Sequence, residues 1–132
     1  MSTDDTFKLL KLDKAEDKLL SNPNLRKWAV FVEKKTGNSP EETMVTKLRA
    51  HYGDAPLATI LKAGGNNWLT REMAVKLQNA QFKQWYNEGM SPYHILWDVF
   101  KVGTGNKGKT PAGSVWYAYS TYLGTNKLKV GS

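Results

Sequence analysis

The most recognisable chemical motif in the sequence is a glycine- and lysine-rich stretch from Gly103 to Thr110. Its letters satisfy the phosphate-binding pattern G-x-x-x-x-G-K-T, in which backbone N–H groups and the lysine converge on a nucleotide phosphate. That geometry needs a buried strand before the loop, and parallel strands with a metal-binding aspartate after it. Only the 22 residues from Pro111 to Ser132 follow the motif, and the segment before it begins like a helix. We therefore predict a solvated loop between helices and no cofactor, with nucleotide binding as a distant alternative.

The remaining residues of catalytic type do not form a known catalytic pattern. His51 and His94 each stand beside a tyrosine in an apolar helical pattern, and the chain has no cysteine, so half-buried imidazoles are expected rather than metal ligands. Ser114 has no G-x-S-x-G context. The pairs Asp4-Asp5 and Glu41-Glu42 fall in first helical turns, where they compensate the helix dipole. These residues predict neither a metal site nor an enzyme.

The basic charge of the chain is concentrated at its carboxyl end. Residues 1–98 hold 14 bases against 12 acids, whereas residues 100–132 hold five lysines and no acid. Such a one-ended excess is typical of an acidic partner, a nucleic acid or a membrane face. The lysines alternate with aromatic residues that could stack on bases, which makes nucleic-acid binding the second hypothesis. The simpler interpretation is that the aromatic residues are core and the lysines, Lys101, Lys107, Lys109, Lys127 and Lys129, are solvated.

Periodicity and capping signals predict an all-α fold of about six to seven helices. Ser39-Pro40 and Ser91-Pro92 each place a hydroxyl at an N-cap and a proline in the first turn, where its missing N–H costs nothing. Val115 to Leu123 repeats apolar residues at steps of three and four. Read alone, residues 95–102 also fit a strand, but no second strand-like run exists to pair with them.

Four further segments complete this helical interpretation. One helix is predicted from Thr3 to Leu20 and a second from Leu25 to Gly37, with Trp28 on its apolar stripe. After Gly53, a short turn of helix that Asp54 can cap is predicted to hold Leu57, Ile60 and Leu61 and to stop at Gly64-Gly65. Between Thr70 and Glu88 two apolar stripes are rotated relative to each other, which predicts a break near Gln78-Asn79.

The composition suits one globular domain or two small helical modules rather than a disordered chain. Five Trp, six Tyr and four Phe provide the apolar surface that offsets the entropy of ordering. No run of eighteen apolar residues and no secretory h-region is present, so the chain as printed is expected to be soluble and without a visible address.

Several of these segments together resemble oomycete RXLR effectors of the Phytophthora type. Residues 74–85 followed by Gly89-Met90-Ser91-Pro92 are similar to their W motif, and residues 115–123 to their Y motif. Residues 48–61 resemble the L motif of the tandem variety, and residues 25–32 around Trp28 resemble an earlier W motif. The resemblance covers roughly residues 22–124, and the order and spacing of the motifs make it specific.

The resemblance implies a WY-type helical core preceded by a W/L-motif unit. It makes the core residues Trp28, Trp85 and a tyrosine of the last helix, with Tyr119 and Tyr122 both open for that role. Domain limits follow as an N-terminal helix 1–21, a W/L-like unit 22–65, a WY-like unit 66–124 and a tail 125–132. The translocation motif Arg-x-Leu-Arg is not in the sequence, consistent with a chain that starts after it.

The family also implies a function without catalysis. Its members are secreted by oomycete plant pathogens, enter the host cytoplasm or nucleus and suppress immunity by binding host proteins, here a ubiquitin ligase, kinase, phosphatase or trafficking component. We expect the host protein to contact Lys101, Lys107, Lys109 and Trp116, because loops on a rigid core are common recognition devices. A homodimer is a further hypothesis if Trp97, Trp68 or Tyr93 is exposed.

Overall fold

All regular elements of the described chain are helical. The computed structural model describes residues 3–37, 39–101 and 111–128. Two short 3-10 turns, Leu12–Lys14 and Glu16–Lys18, follow the first helix, and a π-helix, Ile95–Val99, continues the sixth. The all-α prediction is therefore confirmed, and residues 95–99 are not a strand. The α-helices are α1 Thr3–Leu9, α2 Asn24–Thr36, α3 Pro40–Tyr52, α4 Asp54–Gly64, α5 Arg71–Asn87, α6 Pro92–His94 and α7 Pro111–Thr125.

The chain divides into two compact units, residues 1–80 and 81–132, and the division falls inside α5. The predicted break near Gln78-Asn79 is wrong, because α5 runs without interruption. Its two rotated stripes have a different cause: Leu77 and Ala80 belong to the core of the first unit, whereas Phe82 and Trp85 are buried in the second. One continuous helix can therefore carry both stripes.

The core of the first unit is built from the apolar stripes of successive helices. Helix α2 packs against α1 and α3, and α3 packs against α4. The N-cap of α3 is Ser39, with Pro40 in the first turn, although no side-chain cap hydrogen bond forms there. Trp28 is completely buried, and its ring centroid lies 4.9 Å from that of Phe7. The other fully buried apolar residues of this core are Leu12, Leu19, Leu25, Val32, Met44, Val45, Leu48, Leu57, Leu61 and Leu77.

The N-terminal helix is shorter than the sequence suggests. A single helix over residues 3–20 is wrong, because α1 ends at Leu9 and Lys11 takes the left-handed conformation with φ 60°. On one continuous helix Phe7 and Leu12 would point about 140° apart, so both could not face the same core. The kink allows both side chains to be buried and leaves Leu9 65% exposed.

Polar side chains hold this irregular segment in place. The Tyr52 hydroxyl donates to the Leu12 carbonyl and accepts the Glu16 N–H at 3.1 Å. His51 Nε2 lies 2.7 Å from the Asp13 carbonyl oxygen. The expected half-buried imidazole at position 51 is instead exposed, yet it has a hydrogen-bond partner. Backbone groups that a helix would pair internally are thus satisfied by side chains of α3.

The second unit packs α7 against α6 and the π-helix. Helix α7 begins at Pro111, earlier than the predicted loop from Gly103 to Ser114 allowed, and proline is well tolerated at a first helical position. Residues 102–110, which include the phosphate-loop motif, lie outside the described residues. Among the described helices, none has the length and apolar content to cross a membrane.

Candidate interaction surface

The second unit has an aromatic core formed by the end of α5 and the middle of α7. Trp85 and Tyr119 are both completely buried, and their ring centroids lie 5.5 Å apart at 77°, an edge-to-face arrangement. Phe82 contacts both rings, with centroids at 5.6 and 5.3 Å. Tyr122 lies at the margin of this group and is only half-buried. Of the two tyrosines that the sequence left open, the structure therefore places Tyr119 inside.

A hydrogen bond joins this core to the turn that starts the next helix. Gly89 has φ 78°, and the Met90 N–H donates to the Trp85 carbonyl at 3.0 Å, which is a Schellman C-cap of α5. The Tyr119 hydroxyl donates to the Met90 carbonyl oxygen at 2.6 Å. Burial is the main cause that raises the pKa of Tyr119 to about 12. Met90, in the turn between α5 and α6, is thus bonded through its N–H to α5 and through its carbonyl oxygen to α7.

The pH dependence of stability tests this arrangement. The pKa of the Tyr119 hydroxyl is about 10 in the unfolded chain and about 12 in the folded one, so the unfolded state loses this proton first. The free energy of unfolding therefore falls as the pH rises from about 10 to 12. The two-unit difference corresponds to about 2 to 3 kcal/mol, fully present below pH 10. For Tyr119→Phe we expect a loss of about 1 kcal/mol at pH 8 and a gap to the wild type that closes or reverses by pH 11.5. Urea unfolding at both pH values measures the gap, and a constant gap would contradict the assignment.

Beyond the turn, Ser91 and His94 form a reciprocal capping box. The His94 N–H donates to Ser91 Oγ at 3.4 Å, and the Ser91 N–H donates to His94 Nδ1 at 3.0 Å. An imidazole thereby occupies the position that Glu or Gln usually takes in this motif. His94 is exposed rather than half-buried as expected, and its Nε2 lies 3.9 Å from a carboxylate oxygen of Asp98.

The segment started by this cap presents two aromatic rings to solvent. Ile95 and Leu96 are completely buried, whereas Tyr93 and Trp97 are each 58% exposed. The π-helix is closed by the bond from the Phe100 N–H to the Ile95 carbonyl at 2.9 Å. A depression of about 320 Å³ is lined by Tyr93, Trp97, Ser91 and His94. We call Tyr93, His94, Trp97 and Asp98 the aromatic face.

The residues expected to bind a partner occupy different places. Lys101 is exposed and takes φ 58°, and Trp116 is half-buried on α7. Lys107 and Lys109 lie outside the described residues. From the sequence, Tyr93 and Trp97 are expected only in self-association, and Asp98 is not among the expected contact residues. Their spacing of one helical turn after a Ser-Pro cap was the signal that could have identified the face.

The first unit also exposes aromatic surface, in the turn between α4 and α5. Trp68 is 77% exposed and Leu69 is 65% exposed. The Thr70 hydroxyl donates to the Gly64 carbonyl at 2.7 Å and holds the turn. Within the described ranges, no group of three His, Asp or Glu side chains is arranged to hold a metal ion.

These features define a class of protein: an all-α domain with a Trp–Tyr core and solvent-facing aromatic residues. No family model matches the chain. The RxLR effector protein PSR2 of Phytophthora sojae is 38% identical over 128 residues, covering 94% of this chain and 19% of that protein. The RxLR effector protein PexRD20 of Phytophthora infestans is 31% identical over 124 residues, covering 90% of this chain and 51% of that protein.

The fold agrees with these sequence relationships. The crystal structure of PcRxLR12 matches 100% of this chain and 32% of its own with a TM-score of 0.71 and 25% identity. The chain is therefore homologous to the oomycete RxLR effectors and has their WY-type helical fold, and the resemblance inferred from the motifs is confirmed. It spans about a fifth of the length of PSR2 and about half of PexRD20. These relatives support a secreted oomycete effector.

Proposed function

We propose that the chain is a helical scaffold with which a secreted effector enters plant host cells and suppresses immunity by binding a host protein, without catalysis of its own. The proposal rests on homology with RxLR effectors over 94% of the chain. It places the activity in the host cytoplasm or nucleus. The host protein would be a regulatory component such as a ubiquitin ligase, kinase, phosphatase or trafficking factor.

The aromatic face is the contact surface that the geometry supports best. Exposed Trp and Tyr side chains are enriched among residues that dominate binding energy at protein interfaces. Tyr93 and Trp97 stand on a segment whose buried side, Ile95 and Leu96, is packed in the core. Their positions are therefore set before a partner arrives, which reduces the entropy lost on binding. A second proposal keeps the contacts expected from the sequence, Lys101, Lys107, Lys109 and Trp116.

Co-purification from plant extract tests the proposed function. The tagged chain is expected to enrich a defined host protein, and the Tyr93→Ala, Trp97→Ala double variant to weaken that binding by at least about 30-fold. The affinity is then measured with the recombinant host protein. The double variant Lys107→Glu, Lys109→Glu tests these two lysines in the same assay, and undiminished recovery of the host protein would exclude them as contacts.

Trp68→Ala serves as the matched control, since it removes an exposed indole from the other unit, 77% exposed against 58% for Trp97. The proposal fails if no host protein is enriched over a purification without the tagged chain. Steeply salt-dependent retention on RNA or DNA, in place of a protein partner, would favour the nucleic-acid hypothesis instead.

A further inference from the structure

The aromatic face combines two exposed rings with a carboxylate. Tyr93 and Trp97 border one depression, and Asp98 follows Trp97 directly on the exposed side of the π-helix. Exposed ring faces attract cations through their quadrupoles, and a neighbouring carboxylate adds a direct charge. Each of these groups alone is common on protein surfaces, but all of them favour the same kind of ligand.

The capping box fixes the orientation of the imidazole at the edge of this face. His94 Nδ1 accepts the Ser91 N–H at 3.0 Å, and His94 Nε2 lies 3.9 Å from a carboxylate oxygen of Asp98. The imidazole is thereby held beside the carboxylate.

The segment that carries the face contains acidic but no basic residues, although the chain as a whole has a net charge of +7. Residues 84–100 contain Glu88 and Asp98 but neither Lys nor Arg. Helix α7, which packs against this segment, has no charged residue from Pro111 to Thr125. The nearest cations in sequence are Lys83 and Lys101, which flank the segment on either side. The carboxylate next to the exposed rings thus favours a cationic ligand.

We propose that the aromatic face binds an arginine side chain of the partner protein, with the guanidinium stacked on Trp97 and Tyr93 and hydrogen-bonded to Asp98. A guanidinium is planar and weakly hydrated, so it stacks on aromatic rings and forms forked bonds to a carboxylate, whereas the compact ammonium of lysine does neither as well. This inference rests on the proposed function and specifies the chemistry of the contact.

Titration with small peptides tests the inference on the whole chain. The probe is the capped tripeptide Gly-Arg-Gly, and its control is the same peptide with citrulline, which has the shape of arginine without the charge. We expect the indole N–H resonance of Trp97 to shift in a saturable way with the arginine peptide, and the citrulline peptide to bind at least about tenfold more weakly. The lysine peptide should rank between the two.

Single substitutions separate the contributions of ring and carboxylate. Trp97→Leu should abolish the arginine-induced shifts of the backbone amides of Tyr93 and Asp98, which remain as reporters when the indole is removed, and Asp98→Asn should weaken binding at least about fivefold. Trp68→Leu is the matched control and should leave it unchanged, and an unaltered Trp85 indole resonance shows that each variant is folded. Equal binding of arginine and citrulline, or a Trp68 shift as large as that of Trp97, would overturn the inference.

The failure of this inference differs from that of the proposed function. If a host protein is recovered but Asp98→Asn leaves its affinity unchanged, the arginine contact is wrong and the scaffold function stands. If the arginine peptide binds as expected but no host protein is recovered, the cation site stands and the proposed function is wrong.

Discussion

Trp85→Ala lowers the free energy of unfolding by about 3 to 5 kcal/mol, which is the range for removing a fully buried indole. The side chain is completely buried and its ring contacts Phe82 and Tyr119. Shortening it leaves a cavity beneath residues that come from two helices. The displaced Tyr119 would also lose its hydrogen bond to the Met90 carbonyl, which adds an unsatisfied buried group.

Urea unfolding followed by circular dichroism at 222 nm measures this loss, and amide exchange in α7 locates it. Fluorescence is less suitable because the chain has five tryptophans. Trp97→Ala is the control from the same unit, since its ring is 58% exposed and its loss should cost less than about 1 kcal/mol. Equal losses for the two variants would contradict the assignment of Trp85 to the core.

Trp28→Ala has an effect of similar size in the first unit, about 3 to 5 kcal/mol. Its ring is completely buried and lies against Phe7 with centroids 4.9 Å apart. Because Phe7 is a buried contact of α1, the substitution should also release the segment that connects α1 to α2. This second consequence distinguishes Trp28 from a residue that stabilises α2 alone.

Limited trypsin digestion detects that release. We expect cleavage after Lys8, Lys11, Lys14 and Lys18 to accelerate in Trp28→Ala relative to cleavage at sites in residues 81–128. Trp68→Ala provides the matched control, because this indole is 77% exposed and contributes no comparable burial. A Trp28→Ala chain that is as stable and as resistant to trypsin as the wild type would show that Trp28 is not a core residue.

The two tryptophans differ from the exposed aromatic residues in what they do for the molecule. Trp28 and Trp85 are buried and stabilise the fold. Tyr93, Trp97 and Trp68 are exposed and leave apolar surface in contact with water. Exposed aromatic surface is characteristic of interaction sites rather than of folding. The predicted stability losses and the predicted binding losses therefore fall on different residues, and each set of variants is a control for the other.

Much of the helical pattern could be read from local signals. The Ser39-Pro40 and Ser91-Pro92 starts and the stops at Gly37, Gly53 and Gly89 coincide with the observed helix limits. Caps and helix stops act over a few residues, and so does the three-to-four-residue repeat of apolar side chains. Such signals lie within a few residues of the helix ends that they determine, so a single segment is enough to predict them.

Other features depended on residues far apart in the sequence. Periodicity allowed one helix over residues 3–20, but the burial of both Phe7 and Leu12 requires a kink that Tyr52 and His51 stabilise from α3. The rotated stripes of α5 suggested a break, whereas the helix is continuous because its two ends contribute to different cores. Neither outcome can be inferred from a single segment.

The choice between inner and outer aromatic residues has the same origin. Tyr119 and Tyr122 are equivalent in the repeat of α7, yet Tyr119 meets Trp85 and reaches the Met90 carbonyl while Tyr122 stays at the margin. Trp97 and Trp85 are both tryptophans in helical segments, but Trp97 is exposed and Trp85 is buried. Helix formation follows from hydrogen bonds between neighbouring residues, so the chain shows it locally. Burial depends on which distant side chains arrive to cover a surface, and this is known only once the chain has folded.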